Sequence, residues 1–217
     1  MEFNVIYRGV NQRMKKELTK TIILASASQR RTKILKSIGL KHKICVANAC
    51  EVSIPEKGPE YNVKKNAEIK ATAIIKKHPN SLIIGADTIV FFNNTIIGKP
   101  KNLTEAKNTL KNFSERELLV FSGVCVLDAK TQKKATTSAI TKVRVKKLTK
   151  KIIDEICAKL TPLDRAGSFS IEGIGAFIFD NIDGSFYNVL GLPLCALHEA
   201  FDKLKIDIID LCTPSGE

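Results

Sequence analysis

The chain has 217 residues, 44% of them hydrophobic and 26% charged, enough to bury one core as a single domain or as one sheet with a smaller lobe. No stretch approaches the roughly 20 apolar residues of a membrane span, and the opening segment lacks the apolar centre of a signal peptide, so a cytoplasmic protein with no membrane partner is expected. Thirty-five Lys and Arg against 22 Asp and Glu leave a net charge of +13, a field that attracts polyanions without choosing between nucleotides and nucleic acid.

Residues 1–20 read as an N-terminal extension, residues 21–212 as a single domain and residues 213–217 as a tail. Residues 21–25 are short, β-branched and end in a polar turn, which predicts a buried strand. A helix over residues 30–38 buries Ile34, Leu35 and Ile38 and stops at Gly39. A second strand lies near residues 44–47, a loop over 48–60, and a helix over 61–77. Residues 82–92 form a strand, Asn93-Asn94 a hairpin turn, and residues 95–97 return before Gly98-Lys99-Pro100 forces a loop. Thr104 is placed to cap a helix that reaches Phe113.

Two long strands follow, 118–127 and 136–145, as an antiparallel ribbon, then a helix capped by Thr149 to Leu160. Residues 173–182 read as a further strand, and Pro193 opens a C-terminal helix. Helices alternate with strands, but the ribbon breaks the βαβ rhythm. The expected fold class is therefore α/β, an extended mixed sheet flanked by helices.

The six cysteines are scattered with no CxxC pair and read as structural thiols. Three isolated histidines make no HxH or HExxH spacing, so any metal would be oxygen-ligated, most simply magnesium. The lysine runs lie on helix faces without interleaved stacking aromatics, and nucleic acid is not expected as the main partner.

Polar clusters that interrupt apolar runs carry the chemistry. In Leu24-Ala25-Ser26-Ala27-Ser28-Gln29-Arg30-Arg31, a strand gives way to a helix through a small-residue turn. Two arginines at the positive end of a helix dipole point to an anion, with Ser26 and Ser28 as extra donors. In Ile84-Gly85-Ala86-Asp87-Thr88, a carboxylate sits in a run apolar enough for a central strand, where charge is costly unless paired or metal-bound. Glu51 could share a cation with Asp87, while Lys70 and Lys99 could offset phosphate charge. A glycine-rich third region, with Asp164-Arg165-Ala166-Gly167, Glu172-Gly173-Ile174-Gly175 and the run from Gly184 to Pro193, is a wall where backbone can approach a base or sugar.

Taken together, these blocks resemble the Maf family of nucleoside triphosphate pyrophosphatases over nearly all of residues 21–205. The resemblance implies an α/β fold with a central cleft, like that of the inosine triphosphate pyrophosphatases. It also implies cleavage of a nucleoside triphosphate between its α and β phosphates, giving a monophosphate and pyrophosphate, with a divalent cation as helper, magnesium first and manganese as the alternative. By that resemblance Asp87 would accept the proton of the attacking water and also touch the metal, and Glu51 would be a metal ligand. Arg30, Arg31, Lys70 and Lys99 would engage the phosphates, and Ser26, Thr88 and Glu172 would complete the substrate contacts.

The chain departs from the family pattern at Gln29 for a proline, Cys50 for an aspartate and Arg165 for a lysine. The loss of the aspartate leaves one carboxylate fewer near the metal. Arg30 and Thr88 resemble the branch of the family that acts on dTTP and UTP, whereas Glu172 and Leu118 lean towards the 7-methyl-GTP branch; dTTP and UTP are the expected substrates. A homodimer is compatible with the chain. The competing reading from another class, a non-enzymatic basic nucleic-acid or division-regulatory protein, rests on the +13 charge alone.

Overall fold

The computed structural model describes residues 20–160 and 166–213. The N-terminal extension up to residue 19, Asp164, Arg165 and the last four residues lie outside the described residues. Among the described residues, seven strands form one mixed sheet in the order β2-β1-β3-β5-β6-β7, with β4 paired to the far end of β3. The strands are β1 (Ile22–Leu24), β2 (Lys43–Ile44), β3 (Leu82–Phe92), β4 (Thr95–Ile97), β5 (Glu117–Asp128), β6 (Lys134–Val145) and β7 (Phe179–Asp183). Strand β1 is parallel to both β2 and β3, whereas the pairs from β3 through β7 are antiparallel, which is the mixed sheet expected from the ribbon.

The helices are α1 (Gln29–Ser37), α2 (Gly58–Ala73), α3 (Leu103–Phe113), α4 (Lys150–Lys159), α5 (Phe186–Leu190) and α6 (Leu194–Lys203). Strand periodicity divides the core between the two faces of the sheet. Ile23, Ile83, Cys125 and Leu127 pack with Ala67 and Ala71 of α2 and with Ile74 just after it, while Ile22, Leu24, Leu82 and Ile84 belong to the larger core that takes in Leu35 of α1 and Leu197 and Phe201 of α6. Among the described residues no helix is long and apolar enough to cross a membrane.

Several elements differ from expectation, each for a local reason. Asn102, not Thr104, caps α3: its Oδ1 accepts from the Glu105 N–H at 2.9 Å. Helix α2 begins at Gly58-Pro59, where the absence of an N–H on proline costs nothing in the first turn. The strand read over 173–182 is a 3₁₀ turn, Gly173–Ile178, before β7 begins at Phe179. Gly173 sits at φ 60°, which is not a strand conformation, so the turn is set at its first residue. Helix α5 was hidden in the glycine-rich run; Ser185 caps it and Gly191, at φ 102°, ends it. Thr213 is held, its N–H donating to the Gly39 carbonyl at 3.0 Å.

Candidate active site

Strand β3 and helix α2 build the acidic part of the site. Alternation along β3 turns Ile83, Gly85 and Asp87 to the α2 face and Thr88 to the other. The helix can lie directly on the strands because two positions lack a side chain. A Cβ on Gly85 would stand 2.1 Å from the Ala67 carbonyl oxygen, and one on Gly123, the cross-strand partner of Asp87, 2.3 Å from that of Val63. This close approach delivers two α2 side chains to one buried carboxylate. Lys70 Nζ donates to Asp87 Oδ1 at 2.7 Å, and Asn66 Nδ2 to Oδ2 at 3.2 Å, with Asp87 only 5% exposed.

Lys70 serves a second acid. Its Nζ lies 2.7 Å from Glu51 Oε1 as well, so one ammonium bridges the carboxylates of Glu51 and Asp87. Two carboxylates gathered on one positive charge are a donor set suited to a hard divalent cation, which takes one or two carboxylates and completes its shell with water and phosphate oxygens. Among the described residues no group of three or more His, Cys, Asp and Glu side chains is gathered, so phosphate and water oxygens would have to supply the other ligands of any such cation.

Arg31 dominates the other face. It is buried, and its guanidinium donates from Nε to the Gly191 carbonyl at 2.8 Å, from Nη1 to Ser26 Oγ at 2.9 Å and from Nη2 to Thr88 Oγ1 at 3.2 Å. Burial pulls its pKa below the ordinary arginine value, and the nearby Asp87 carboxylate opposes that shift. Arginine stays charged throughout the working range, so the clamp is a fixed cation.

The turn expected to offer its donors to an anion spends several internally. Ser28 N–H goes to Ser26 Oγ at 3.2 Å, and Arg31 N–H to Ser28 Oγ at 3.5 Å. A hydroxyl accepts two hydrogen bonds and donates one. Ser26 Oγ already accepts from Ser28 and Arg31, so its own proton is what it can give to an anionic oxygen. Thr88 Oγ1 is likewise shared, with Ser122 Oγ at 2.8 Å and the Gly191 carbonyl at 3.3 Å.

Every residue singled out from the sequence as catalytic, substrate-binding or metal-ligating lines a single cavity of about 1010 Å³, large enough for a nucleotide. Lys99 and Glu172 lie exposed at its margin. Val90, Ile96, Val120, Phe169 and Ile171 supply apolar lining suited to a flat base. The third region is pinned to the lysine loop by the Gly167 N–H donating to the Gly98 carbonyl at 3.1 Å.

The model of the family described as Maf-like protein matches residues 21–204. The chain belongs to the Maf-like family. Similar Maf-like proteins include the dTTP/UTP pyrophosphatase of Clostridium botulinum (strain Kyoto / Type A2), 40% identical over 193 residues that cover 87% of this chain and 100% of the relative. Those of Caldicellulosiruptor saccharolyticus and Dictyoglomus thermophilum are each 37% identical over 88% of this chain, covering 98% and 100% of the relatives.

Sequence reasoning missed some members of this Maf-like site. Asn66 reaches Asp87, Ser122 supports Thr88, and Gly123 admits α2, while Gly85 and Gly191 lay in runs already singled out. One signal was available. Asn62, Asn66 and Lys70 recur every four residues, a polar stripe on a helix whose next turn carries Ala67 and Ala71 into the core.

Proposed function

We propose that this chain is a nucleoside triphosphate pyrophosphatase that hydrolyses the α–β phosphoanhydride of dTTP and UTP, releasing the monophosphate and pyrophosphate. Support comes from relatives 36–40% identical that are named dTTP/UTP pyrophosphatases. The observation that carries the reading is the buried Asp87 carboxylate, paired with Lys70 inside a nucleotide-sized cavity that also holds Arg30, Arg31 and Lys99.

Phosphoryl transfer is governed by positioning and by neutralisation of charge on non-bridging oxygens. In this reading Asp87 accepts the proton of the attacking water, and its fixed orientation between Lys70 and Asn66 aims the carboxylate. Glu51 and Asp87 would hold a divalent cation, magnesium or manganese. When bound, that ion supplies charge neutralisation at the phosphate oxygens. Arg30, Lys70 and Lys99 face the phosphates, Ser26 donates its remaining hydroxyl proton, and Arg31 with Thr88 holds the floor of the site in register. Glu172 meets the base edge.

The test is product analysis with magnesium and a panel of dTTP, UTP, ATP and 7-methyl-GTP. Monophosphate and pyrophosphate are expected from dTTP and UTP. Orthophosphate as the sole product would overturn the bond assignment, and preference for 7-methyl-GTP would overturn the base assignment.

A further inference from the structure

Residues 51–54 have no strand partner, yet two of them are paired as if they had one. Val52 donates its N–H to Asn66 Oδ1 at 2.8 Å and accepts from Asn66 Nδ2 at 3.1 Å. Two residues on, Ile54 donates to Asn62 Oδ1 at 2.7 Å and accepts from Asn62 Nδ2 at 2.8 Å. The spacing explains why helix and loop can meet this way. Alternate residues of an extended chain are about 6.6 Å apart. Residues four apart on a helix are separated by a rise of about 6 Å. One turn of α2 therefore matches one two-residue step of the loop, and the two run antiparallel.

The stripe continues into the site. One further turn along α2, Lys70 reaches Glu51, the residue before Val52, and Asn66 gives its remaining N–H to Asp87 Oδ2 at 3.2 Å. Asn62 and Asn66 are 1% and 4% exposed, and each side-chain N–H of Asn66 is committed. A buried amide with all its donors used is a rigid bracket rather than an adaptable contact.

We propose that Asn62 and Asn66 are positioning residues that read the backbone of residues 52 and 54 and thereby set the separation between the Glu51 and Asp87 carboxylates. The pair does not touch the reacting atoms. Asn62 fixes the loop alone, whereas Asn66 fixes the loop and one oxygen of Asp87. This rests on the reading of those carboxylates as the cation's ligands.

The test compares the full chain with Asn62→Ala, Asn66→Leu and the double variant. The readouts are free Mn²⁺ measured by paramagnetic resonance in the presence of the α,β-methylene analogue of dTTP, and amide exchange at Val52 and Ile54. Loss of supporting partners around a metal site lowers metal affinity by roughly 10–100-fold. The Mn²⁺ dissociation constant of the double variant should rise by about tenfold or more on that scale, with faster exchange at both amides. With dTTP, turnover lost at low Mn²⁺ should return as Mn²⁺ is raised, a recovery that general loss of fold would not give.

Unchanged Mn²⁺ affinity in a cooperatively folded double variant would overturn the proposal, as would a wild-type chain that binds no Mn²⁺. If the double variant fails to fold, the single variants decide by the same criterion. A wild-type chain that binds Mn²⁺ but releases no pyrophosphate would count against the proposed function and leave this inference to be decided by affinity and exchange.

Discussion

The guanidinium of Arg31 donates from Nε to the carbonyl oxygen of Gly191 at 2.8 Å, tying the first helix to the end of α5 across the floor of the cleft. Gly191 can present that oxygen because it takes the left-handed conformation that closes α5. A Cβ there would stand 3.4 Å from Thr88 Oγ1, an ordinary contact, so it is the φ of 102° rather than space that calls for glycine.

Arg31→Lys keeps the charge but removes the planar fork, leaving at least two of the Gly191, Ser26 and Thr88 oxygens without their donor. Losing buried hydrogen bonds to a charged group costs about 1.5–3 kcal/mol each, reduced where water can enter. Chemical denaturation should show a loss of about 2–4 kcal/mol for the variant, on the same scale. A loss below about 0.5 kcal/mol, the range of ordinary surface changes, would mean that Arg31 is not the structural clamp described.

Gly123→Ala tests the seat of α2. The new methyl would meet the Val63 carbonyl at 2.3 Å, and backbone cannot yield as a flexible side chain would. The helix must lift, at a cost of about 1–3 kcal/mol typical of overpacking. Because α2 carries Asn66 and Lys70, pyrophosphate release should fall in the fraction that remains folded. A variant as stable and active as wild type would show that α2 does not depend on the close approach.

Cys125 gives a pH dependence. Burial against α2 pushes its thiol up from the ordinary cysteine value of 9.0 to about 11. The folded-state pKa is raised, so the unfolded chain releases this proton first. The stabilisation is fully present below pH 9.0 and is lost as pH rises towards about 11. Each pH unit separating the folded and unfolded values is worth about 1.4 kcal/mol, so the effect is of order 2–3 kcal/mol. Denaturation midpoints of wild type and Cys125→Ala, compared between pH 8 and roughly 11, should fall more steeply for wild type. Parallel curves would contradict the assignment.

Much of the sheet was legible because its strands obey simple rules. The run from Leu82 to Val90 is a central strand by apolarity alone, and Asp87 stood out because a carboxylate in such a run needs a partner. What could not be read was what the partners already do. Ser28 and Arg31 were read as offering donors to an anion; in the folded turn their backbone N–H groups go to serine hydroxyls, and three of the five guanidinium N–H groups of Arg31 are spent on protein oxygens. The roles of Asn62 and Asn66 were not singled out from the sequence, because periodicity names a face without saying which backbone lies against it. The strand read across Gly173 failed because a positive φ at its first residue turns the chain into a 3₁₀ helix.

The central claim is that Asp87 drives hydrolysis of a triphosphate bound in this cleft. The most direct measurement is single-turnover pyrophosphate release from dTTP by wild type and by Asp87→Asn, an isosteric change that keeps a group within reach of Lys70 and Asn66. The expected result is a folded variant slower by about 100-fold or more, the contribution of a positioned general base. Wild-type release of pyrophosphate by Asp87→Asn would contradict it.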